Sequence, residues 1–245
     1  AYADVVWSPD SRYLAVTRTD SARQLPQIVL LEPATGKHDT ITSDRYESFS
    51  PALSRDGRWL YFLSNRSFQS SVGSPWGDRN TGAFFDRRTR AYAYALQVGT
   101  RFPFQAPNEL QDAREVKAAD KAESAPAKDA KADALPAIAF EGLRERLFEL
   151  PLESGNYDAL VAAEDRLYFL QRDAGPRAKG QLMTLAISDA MPKPETFLAD
   201  VESRLEIGGR ARVVGHRPRR QAHPIHPDPL PARHLDVIER TQGTF

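Results

Sequence analysis

A repeated unit of one tight turn and one short apolar strand constrains the fold of this chain more than any other feature. Residues 7–16 and residues 53–62 follow the same pattern, in which a Ser and an Asp precede an Arg and an apolar run. The turn aspartates, Asp10 and Asp56, lie about 46 positions apart, and short strands that repeat every 40 to 50 residues or so are typical of β-propeller blades. Asp beside Ser or Gly suits a tight turn, and the following β-branched and aromatic residues favour a strand.

Two further copies of the unit lie later in the chain. A third copy occupies residues 164–170, and a degraded fourth, residues 208–214, follows it at an ordinary blade spacing. Two inserts, residues 67–85 and residues 111–135, account for the longer gap before the third copy. Since insertions in repeat proteins occupy loops, we expect both inserts to interrupt the repeat without replacing a blade.

Apolar runs between the turn copies supply the other strands. The expected third strands of the blades are residues 27–31, 91–98 and 181–187. Thr35 and Gly36 mark a hairpin into a fourth strand near residues 37–41, and residues 199–201 are expected to play a similar connecting role. Helical periodicity is nearly absent outside residues 111–135 and 141–143, which disfavours a βαβ architecture.

The predicted fold class is therefore all-β, as a partial β-propeller of about three four-stranded antiparallel blades with long inserts and an irregular C-terminal tail. We expect residues 1–216 to form the partial propeller and residues 217–245, rich in Arg, Pro and His, to be a disordered tail. One hypothesis is that this tail is a frame-shifted or truncated gene product. The Ala-rich, charged insert at residues 111–135 has too few apolar side chains to offset its ordering entropy, which predicts a mobile loop or a frayed surface helix.

Composition excludes several classes of partner and site. The 33 basic and 33 acidic residues balance, so no net field attracts nucleic acid or an anionic membrane, and we predict neither as a partner. The absence of cysteine excludes disulfides, thiolate metal sites and a cysteine nucleophile. No apolar stretch approaches the length of a membrane span, and no signal segment opens the chain. Because the sequence begins without Met inside a repeat, we expect a soluble fragment of a longer protein.

No residue is predicted to be catalytic, to bind a cofactor or to bind a metal. His223, His226 and His234 have a spacing that could bring imidazoles together, but the neighbouring prolines prevent a helix, and a basic tail is the favoured interpretation. His38 lies beside a predicted hairpin, where surface histidines are common. The stretch around Ser74 has the wrong glycine spacing for a nucleophile turn, and Pro75 removes a backbone donor.

The first insert has two interpretations. It mixes aromatic residues with charged ones, and functional loops often have this composition. The alternative, which we favour, is that Trp76, Phe84 and Phe85 anchor a long loop on the blade while Asp78 and Arg79 pair locally.

These motifs together resemble one family. The repeated turns are similar to the blades of tricorn and TolB-type propellers. Three stretches look like the bacterial homologues of tricorn protease: residues 60–66, residues 76–80, and residues 89–96, which lead to residues 102–104. Residues 150–157 add to the match, and the resemblance extends from about residue 1 to about residue 214, an N-terminal propeller region only.

The resemblance implies a parent function. In that family, two propellers precede a helical region, a PDZ-like domain and a serine peptidase domain, and the enzyme degrades short peptides. The resemblance implies peptides as partners, a homo-oligomer, a cytoplasmic location with the periplasm left open, and a propeller that handles or gates substrate through its innermost strands. The family's catalytic Ser and His lie in the peptidase portion, which nothing here matches, so no catalytic residue is carried over and whether the chain itself is an enzyme stays open. The alternative is a stand-alone TolB-like propeller that serves as a protein-binding platform.

Overall fold

The computed structural model describes residues 1–68, 85–106, 135–172 and 179–201, together with the backbone of residues 206–208 and 210–212. These residues form three four-stranded sheets and one two-stranded hairpin. Every strand pairing is antiparallel, and the helical content of the described residues is one 3-10 turn at Leu143–Glu145. This confirms the predicted all-β fold with three blades.

Each blade is a meander in which consecutive strands are neighbours. Blade 1 contains β1 Tyr2–Trp7, β2 Leu14–Thr19, β3 Pro26–Glu32 and β4 Lys37–Thr40. Blade 2 contains β5 Ser48–Leu53, β6 Trp59–Asn65, β7 Thr89–Ala95 and β8 Leu147–Glu149. Blade 3 contains β9 Tyr157–Ala162, β10 Arg166–Arg172, β11 Gly180–Ala186 and β12 Glu195–Val201. The hairpin consists of β13 Glu206–Gly208 and β14 Arg210–Arg212.

The predicted third strands correspond to β3, β7 and β11, and the predicted fourth strand of blade 1 corresponds to β4. One prediction was wrong, because residues 199–201 do not connect strands but end β12, where Gly180 pairs with Val201. The predicted strand at residues 91–98 also extends too far, since β7 ends at Ala95 and Val98 lies in a turn. The two inserts fall between β6 and β7 and between β7 and β8, and most of their residues lie outside the described part of the chain.

The repeated turn owes its shape to one serine and one aspartate. In blade 2, the Ser54 hydroxyl donates to Asp56 Oδ1 at 2.5 Å and accepts the backbone N–H of Trp59 at 2.8 Å. Asp56 Oδ1 also accepts the backbone N–H of Arg58 at 3.0 Å. Blade 1 repeats every one of these bonds, with Ser8 and Asp10 in the equivalent positions. The shared sequence pattern thus encodes a shared hydrogen-bond network that closes the hairpin between the first two strands.

The core lies between the blades. Alternate residues of a strand point to opposite faces of a sheet, and in β6 both faces are buried. Trp59, Tyr61 and Leu63 pack with apolar residues of blade 3, in a cluster that includes Leu160 and Phe169. Leu60 and Phe62 pack instead with residues of blade 1, in a cluster that includes Ile28 and Leu30. Blade 2 is therefore held from both sides, as expected of a blade inside a propeller.

Candidate functional site

The first strands of the three blades form one continuous surface, which we call the inner-strand surface. It is made by β1, β5 and β9, and β5 lies in contact with both of the others. Each of these strands is the first strand of its sheet and has only one strand partner in it. In a propeller, the innermost strands of the blades surround the central channel. This surface therefore corresponds to the part of a propeller that faces the central channel.

Every strand of the inner-strand surface carries a bulge at the same place. Asp4, Ser50 and Ala159 have positive φ angles of 46°, 49° and 50°, and the strand register shifts at each of them. Each residue precedes the turn aspartate of its own copy of the repeat by the same interval. A positive φ costs a residue other than glycine about 1 kcal/mol or more. Because the same distortion recurs in three blades despite this cost, we interpret the bulge as a regular part of the repeat and not as a local irregularity.

A side chain from one bulge reaches the next blade. Asp4 Oδ2 accepts the backbone N–H of Ser50 at 3.2 Å and the hydroxyl of Thr17 at 3.2 Å. The carboxylate thus joins the inner strand of blade 1 both to β2 and to the inner strand of blade 2. The equivalent side chains in blades 2 and 3, a buried serine and an alanine, are too short to form the same link.

A polar network fixes one end of blade 2. The Asn65 side chain donates to the Glu47 carboxylate, and its Oδ1 accepts the Thr89 hydroxyl at 2.8 Å. The Asn65 backbone N–H donates to the Glu47 carbonyl at 3.0 Å. Thr89 in turn exchanges two backbone hydrogen bonds of 2.9 Å with Gly155, just before blade 3. These bonds tie the ends of β6 and β7 to the connections that lead into β5 and β9.

The same end of the molecule holds the base of the first insert. Asn156 Oδ1 accepts the backbone N–H of Arg87 at 3.0 Å, and Asn156 Nδ2 donates to Asp86 Oδ1 at 2.7 Å. Phe85 packs edge-to-face on Phe68, with ring centroids 5.9 Å apart. The insert at residues 67–85 therefore leaves and rejoins blade 2 at the end where β5 and β9 begin. The anchoring interpretation of Phe85 agrees with this contact, whereas Trp76, Asp78, Arg79 and Phe84 lie outside the described residues.

Among the described residues, the side chains needed for nucleophilic catalysis do not meet. Ser48 and Ser64 share a buried hydrogen bond of 3.1 Å, and Ser64 also donates to the Glu47 carbonyl. His38 is the one histidine in the described ranges. It is exposed on β4, the outermost strand of blade 1, where its Nδ1 lies 3.1 Å from the Gly36 carbonyl oxygen. A serine at the inner-strand surface thus has no imidazole beside it in this part of the chain.

The other residues considered from sequence fall elsewhere. His223, His226, His234 and Ser74 lie outside the described residues. The described ranges contain no group of three or more His, Cys, Asp or Glu residues arranged to hold a metal ion. Their one helix, the 3-10 turn, is far too short to cross a membrane. The bulge residues were not predicted from sequence, although Asp4, Ser50 and Ala159 come into register when the repeats are aligned on the turn aspartates.

Comparison with known proteins identifies relatives among the tricorn proteases. No family model matches the chain. Tricorn protease homolog 1 of Streptomyces coelicolor is 30% identical over 167 residues, which cover 68% of this chain and 15% of that protein. Tricorn protease of Thermoplasma volcanium is 34% identical over 115 residues, or 44% of this chain and 10% of that protein.

A solved structure supports the fold. The crystal structure of the tricorn protease matches with a TM-score of 0.57 over 83% of this chain and 19% of that chain, at 17% sequence identity. At this identity the match shows the fold alone. The chain spans about 15% of the length of the first curated relative, so what is shared is a segment. Sequence and fold together show that this chain is a partial β-propeller related to the tricorn protease homologues.

Proposed function

We propose that this chain is a non-catalytic propeller segment of a tricorn-like serine peptidase that degrades peptides, and that it handles or gates the peptide substrate. The observation that carries the proposal is the inner-strand surface, where the first strands of three blades lie side by side and each carries a bulge at the equivalent position. A surface of this kind can line a passage, and the curated relatives are named as proteases.

The described ends of the first insert lie beside the start of β5 and β9, next to the hydrogen-bond networks around Asn65 and Asn156. We expect residues at this end of the inner-strand surface to influence which peptides enter by size or charge.

The proposal extends to the organisation of the protein. We propose that residues 1–216 form the propeller part and residues 217–245 a separate tail, and that the peptidase portion belongs to the longer polypeptide. We further propose a cytoplasmic location and assembly into a homo-oligomer, in keeping with the resemblance to the family.

Peptide hydrolysis tests the proposal in two forms of the protein. The purified chain should not cleave a panel of fluorogenic peptides, whereas the longer polypeptide encoded by the same gene should cleave them. Hydrolysis by the isolated chain that persists through further purification would contradict the non-catalytic role. An absence of hydrolysis in both forms would favour a stand-alone binding propeller.

A charge reversal tests the role in substrate handling. Asp158 is exposed on β9 at the inner-strand surface, so Asp158→Lys in the longer polypeptide should change KM several-fold, in opposite directions for acidic and basic peptides, with kcat unchanged. His38→Lys adds charge on the exposed outer strand β4 and serves as the matched control. Equal kinetics for both variants and the unmodified enzyme would rule out substrate passage along this surface.

A further inference from the structure

The segment of residues 135–146, which we call the strap, contacts blades 1 and 2 and leads directly into β8, the last strand of blade 2. β8 contains three residues, Leu147–Glu149, and lies at the edge of its sheet, where it pairs with β7. A strand of this length forms few backbone hydrogen bonds, so its position on β7 depends on how the preceding segment is held. The contacts of the strap therefore determine how firmly blade 2 is completed.

The middle of the strap is anchored on the repeated turn of blade 1. Tyr13 is only 4% exposed, and its hydroxyl accepts the backbone N–H of Ile138 at 3.3 Å. The rings of Tyr13 and Phe140 lie 6.3 Å apart, and Lys37 Nζ lies 4.6 Å from the centroid of the Phe140 ring. The backbone N–H of Tyr13 donates to the Ser8 hydroxyl at 2.9 Å. The anchor is thus part of the hydrogen-bond network that closes the first hairpin of blade 1.

The two ends of the strap also contact blade 1. Arg12 Nη1 donates to the Leu135 carbonyl at 3.3 Å. Arg144 donates to Asp39 Oδ1 at 3.1 Å and to the Thr40 carbonyl at 2.6 Å, both on β4. Exposed ion pairs contribute little to stability, so we give more weight to the bond between Arg144 and the backbone of β4. Blade 1 therefore holds the strap at its start, middle and end.

Blade 2 holds the strap at the point where β7 ends. The backbone N–H of Ala139 donates to the Leu96 carbonyl at 2.9 Å. Arg146 Nε donates to the Ala95 carbonyl at 2.9 Å, and the other two nitrogens of this guanidinium donate to the carbonyls of Glu141 and Ala139. One arginine thus fixes both the shape of the strap and its junction with β8.

Apolar side chains of the strap fill the seam between the two blades. Leu143 is 1% exposed and Ile138 is 9% exposed. Both belong to the buried cluster that contains Ile28 of blade 1 and Phe62 of blade 2. Lifting the strap would bring this apolar surface into contact with water, which is unfavourable. The strap and the packing of the seam therefore form or open together.

We propose that the strap is a latch that couples blade 1 to the last strand of blade 2, so that β8 stays paired with β7 only while the strap is anchored on blade 1. Blades 1 and 2 then open as one cooperative unit. In blade 3, residues 187–194 alone join the last two strands, so blade 3 opens independently of the latch. The inference does not rest on the proposed function, because it concerns the seam and not the inner-strand surface.

Hydrogen exchange of backbone amides in the full chain, followed by mass spectrometry, tests the proposal. The double variant Tyr13→Phe, Arg144→Met removes two anchors on blade 1 and keeps the ring that packs on Phe140. We expect exchange in peptides that contain β8 to become at least about tenfold faster, which corresponds to about 1.4 kcal/mol, with exchange in β10 and β11 unchanged. No change at β8, or an equal increase in all three blades, would overturn the proposal.

A matched pair of arginines distinguishes the latch from a general effect of substitution. Arg58 has the same position in the second repeat as Arg12 in the first, but its side chain is exposed and lies beside Asp56. Arg12→Met should make exchange at β8 several-fold faster, although it lies in the other blade, whereas Arg58→Met should leave β8 unchanged. An equal effect of the two substitutions on β8 would contradict the latch.

The reverse direction provides a second test, because a coupling between two sites is reciprocal. Arg146→Met releases the strap from Ala95 in blade 2 and should make exchange faster in β4 of blade 1. Unchanged exchange in β4 would show that the strap does not link the two blades. Circular dichroism checks that each variant is folded. If the double variant does not fold, Arg12→Met and Arg144→Met decide the outcome separately, since both side chains are more than 40% exposed.

Discussion

The carboxylate of Asp4 in blade 1 accepts the backbone N–H of Ser50 in blade 2 at 3.2 Å. The bulge in β5 takes Ser50 and Pro51 out of the strand ladder, since the pairing with β6 passes from Phe49 directly to Ala52. The N–H of Ser50 would otherwise lack a partner at the seam, and Pro51 has no N–H to satisfy. The Asp4 carboxylate thus supplies the acceptor that the bulge of the next blade needs for its backbone N–H.

Replacing Asp4 with alanine should weaken the seam between the first two blades. Asp4→Ala removes an acceptor for Ser50 and Thr17, and we expect the free energy of unfolding to fall by about 1 kcal/mol. Urea unfolding followed by circular dichroism measures the change. Asp4→Asn keeps a side-chain oxygen at the same position and should lose less. Equal free energies of unfolding for both variants and the unmodified chain would show that these hydrogen bonds add no net stability.

The turn serine of blade 2 should be more sensitive to substitution than an exposed serine. Ser54→Ala leaves the buried N–H of Trp59 and the Asp56 carboxylate without the hydroxyl, which should cost about 1 to 3 kcal/mol. Thermal and urea unfolding report the loss. Ser43 accepts a bond from the exposed N–H of Arg45 at 3.1 Å, so Ser43→Ala is the matched control, with an expected change under about 0.5 kcal/mol. A cost at Ser43 as large as that at Ser54 would contradict the structural role of the turn.

Buried tyrosines should make the chain sensitive to alkali. Desolvation by burial, followed by the charge of Asp56, raises the pKa of Tyr61 above its ordinary value of 10.0. Burial is also the largest cause of the raised pKa of Tyr94 and of Tyr157. A raised pKa in the folded state means that this stability is fully present below about pH 10 and is lost as the pH rises through the folded-state pKa.

In an alkaline titration, the part of the phenolate absorbance that comes from the buried tyrosines should therefore change in one cooperative step together with the circular dichroism signal. Tyr61→Phe keeps the aromatic packing and removes the ionising group, so unfolding of this variant should shift to higher pH. A variant that unfolds at the same pH as the unmodified chain would show that Tyr61 does not limit alkaline stability.

The face of blade 1 at β1 should drive self-association. Trp7 is 52% exposed, whereas Leu53, at the equivalent position of blade 2, is 7% exposed because blade 1 covers it. Tyr2 and Val5 on the same strand are also exposed, and an apolar strand left uncovered at the edge of a sheet promotes aggregation.

Sedimentation velocity over a range of concentrations should detect this association, and Trp7→Lys should reduce it while leaving the circular dichroism spectrum unchanged. Val98→Lys alters an exposed apolar residue in a turn and should have no effect. A monodisperse monomer at all concentrations, with a sharp cooperative melt, would contradict the prediction.

The blade architecture could be predicted from sequence because its signals are local. The Ser and Asp of the turn form bonds within five residues of each other, and the apolar runs that follow have the period of strands. The role of residues 199–201 was predicted wrongly, since six of the seven residues of β12 are exposed and the strand is held by its pairing with β11.

The candidate site was less accessible to prediction because it depends on contacts between distant parts of the chain. The bond between Asp4 and Ser50, and the bonds that link Asn156 to Asp86, join residues far apart in sequence. The positive φ of Ala159 has no local sequence signal, since alanine is not a residue that favours this conformation. Only the position within the repeat indicates it.

The bulges also bear on how such a blade can diversify. Asp4, Ser50 and Ala159 occupy equivalent positions with nearly the same φ angle. The backbone conformation at this position is therefore the same in each blade, whereas the side chain differs. Blade 1 has a carboxylate at this position that accepts a hydrogen bond from blade 2, blade 2 has a hydroxyl, and blade 3 has a methyl group. Substitutions at these three positions can therefore change the chemical groups on the inner-strand surface without changing the fold of the blades.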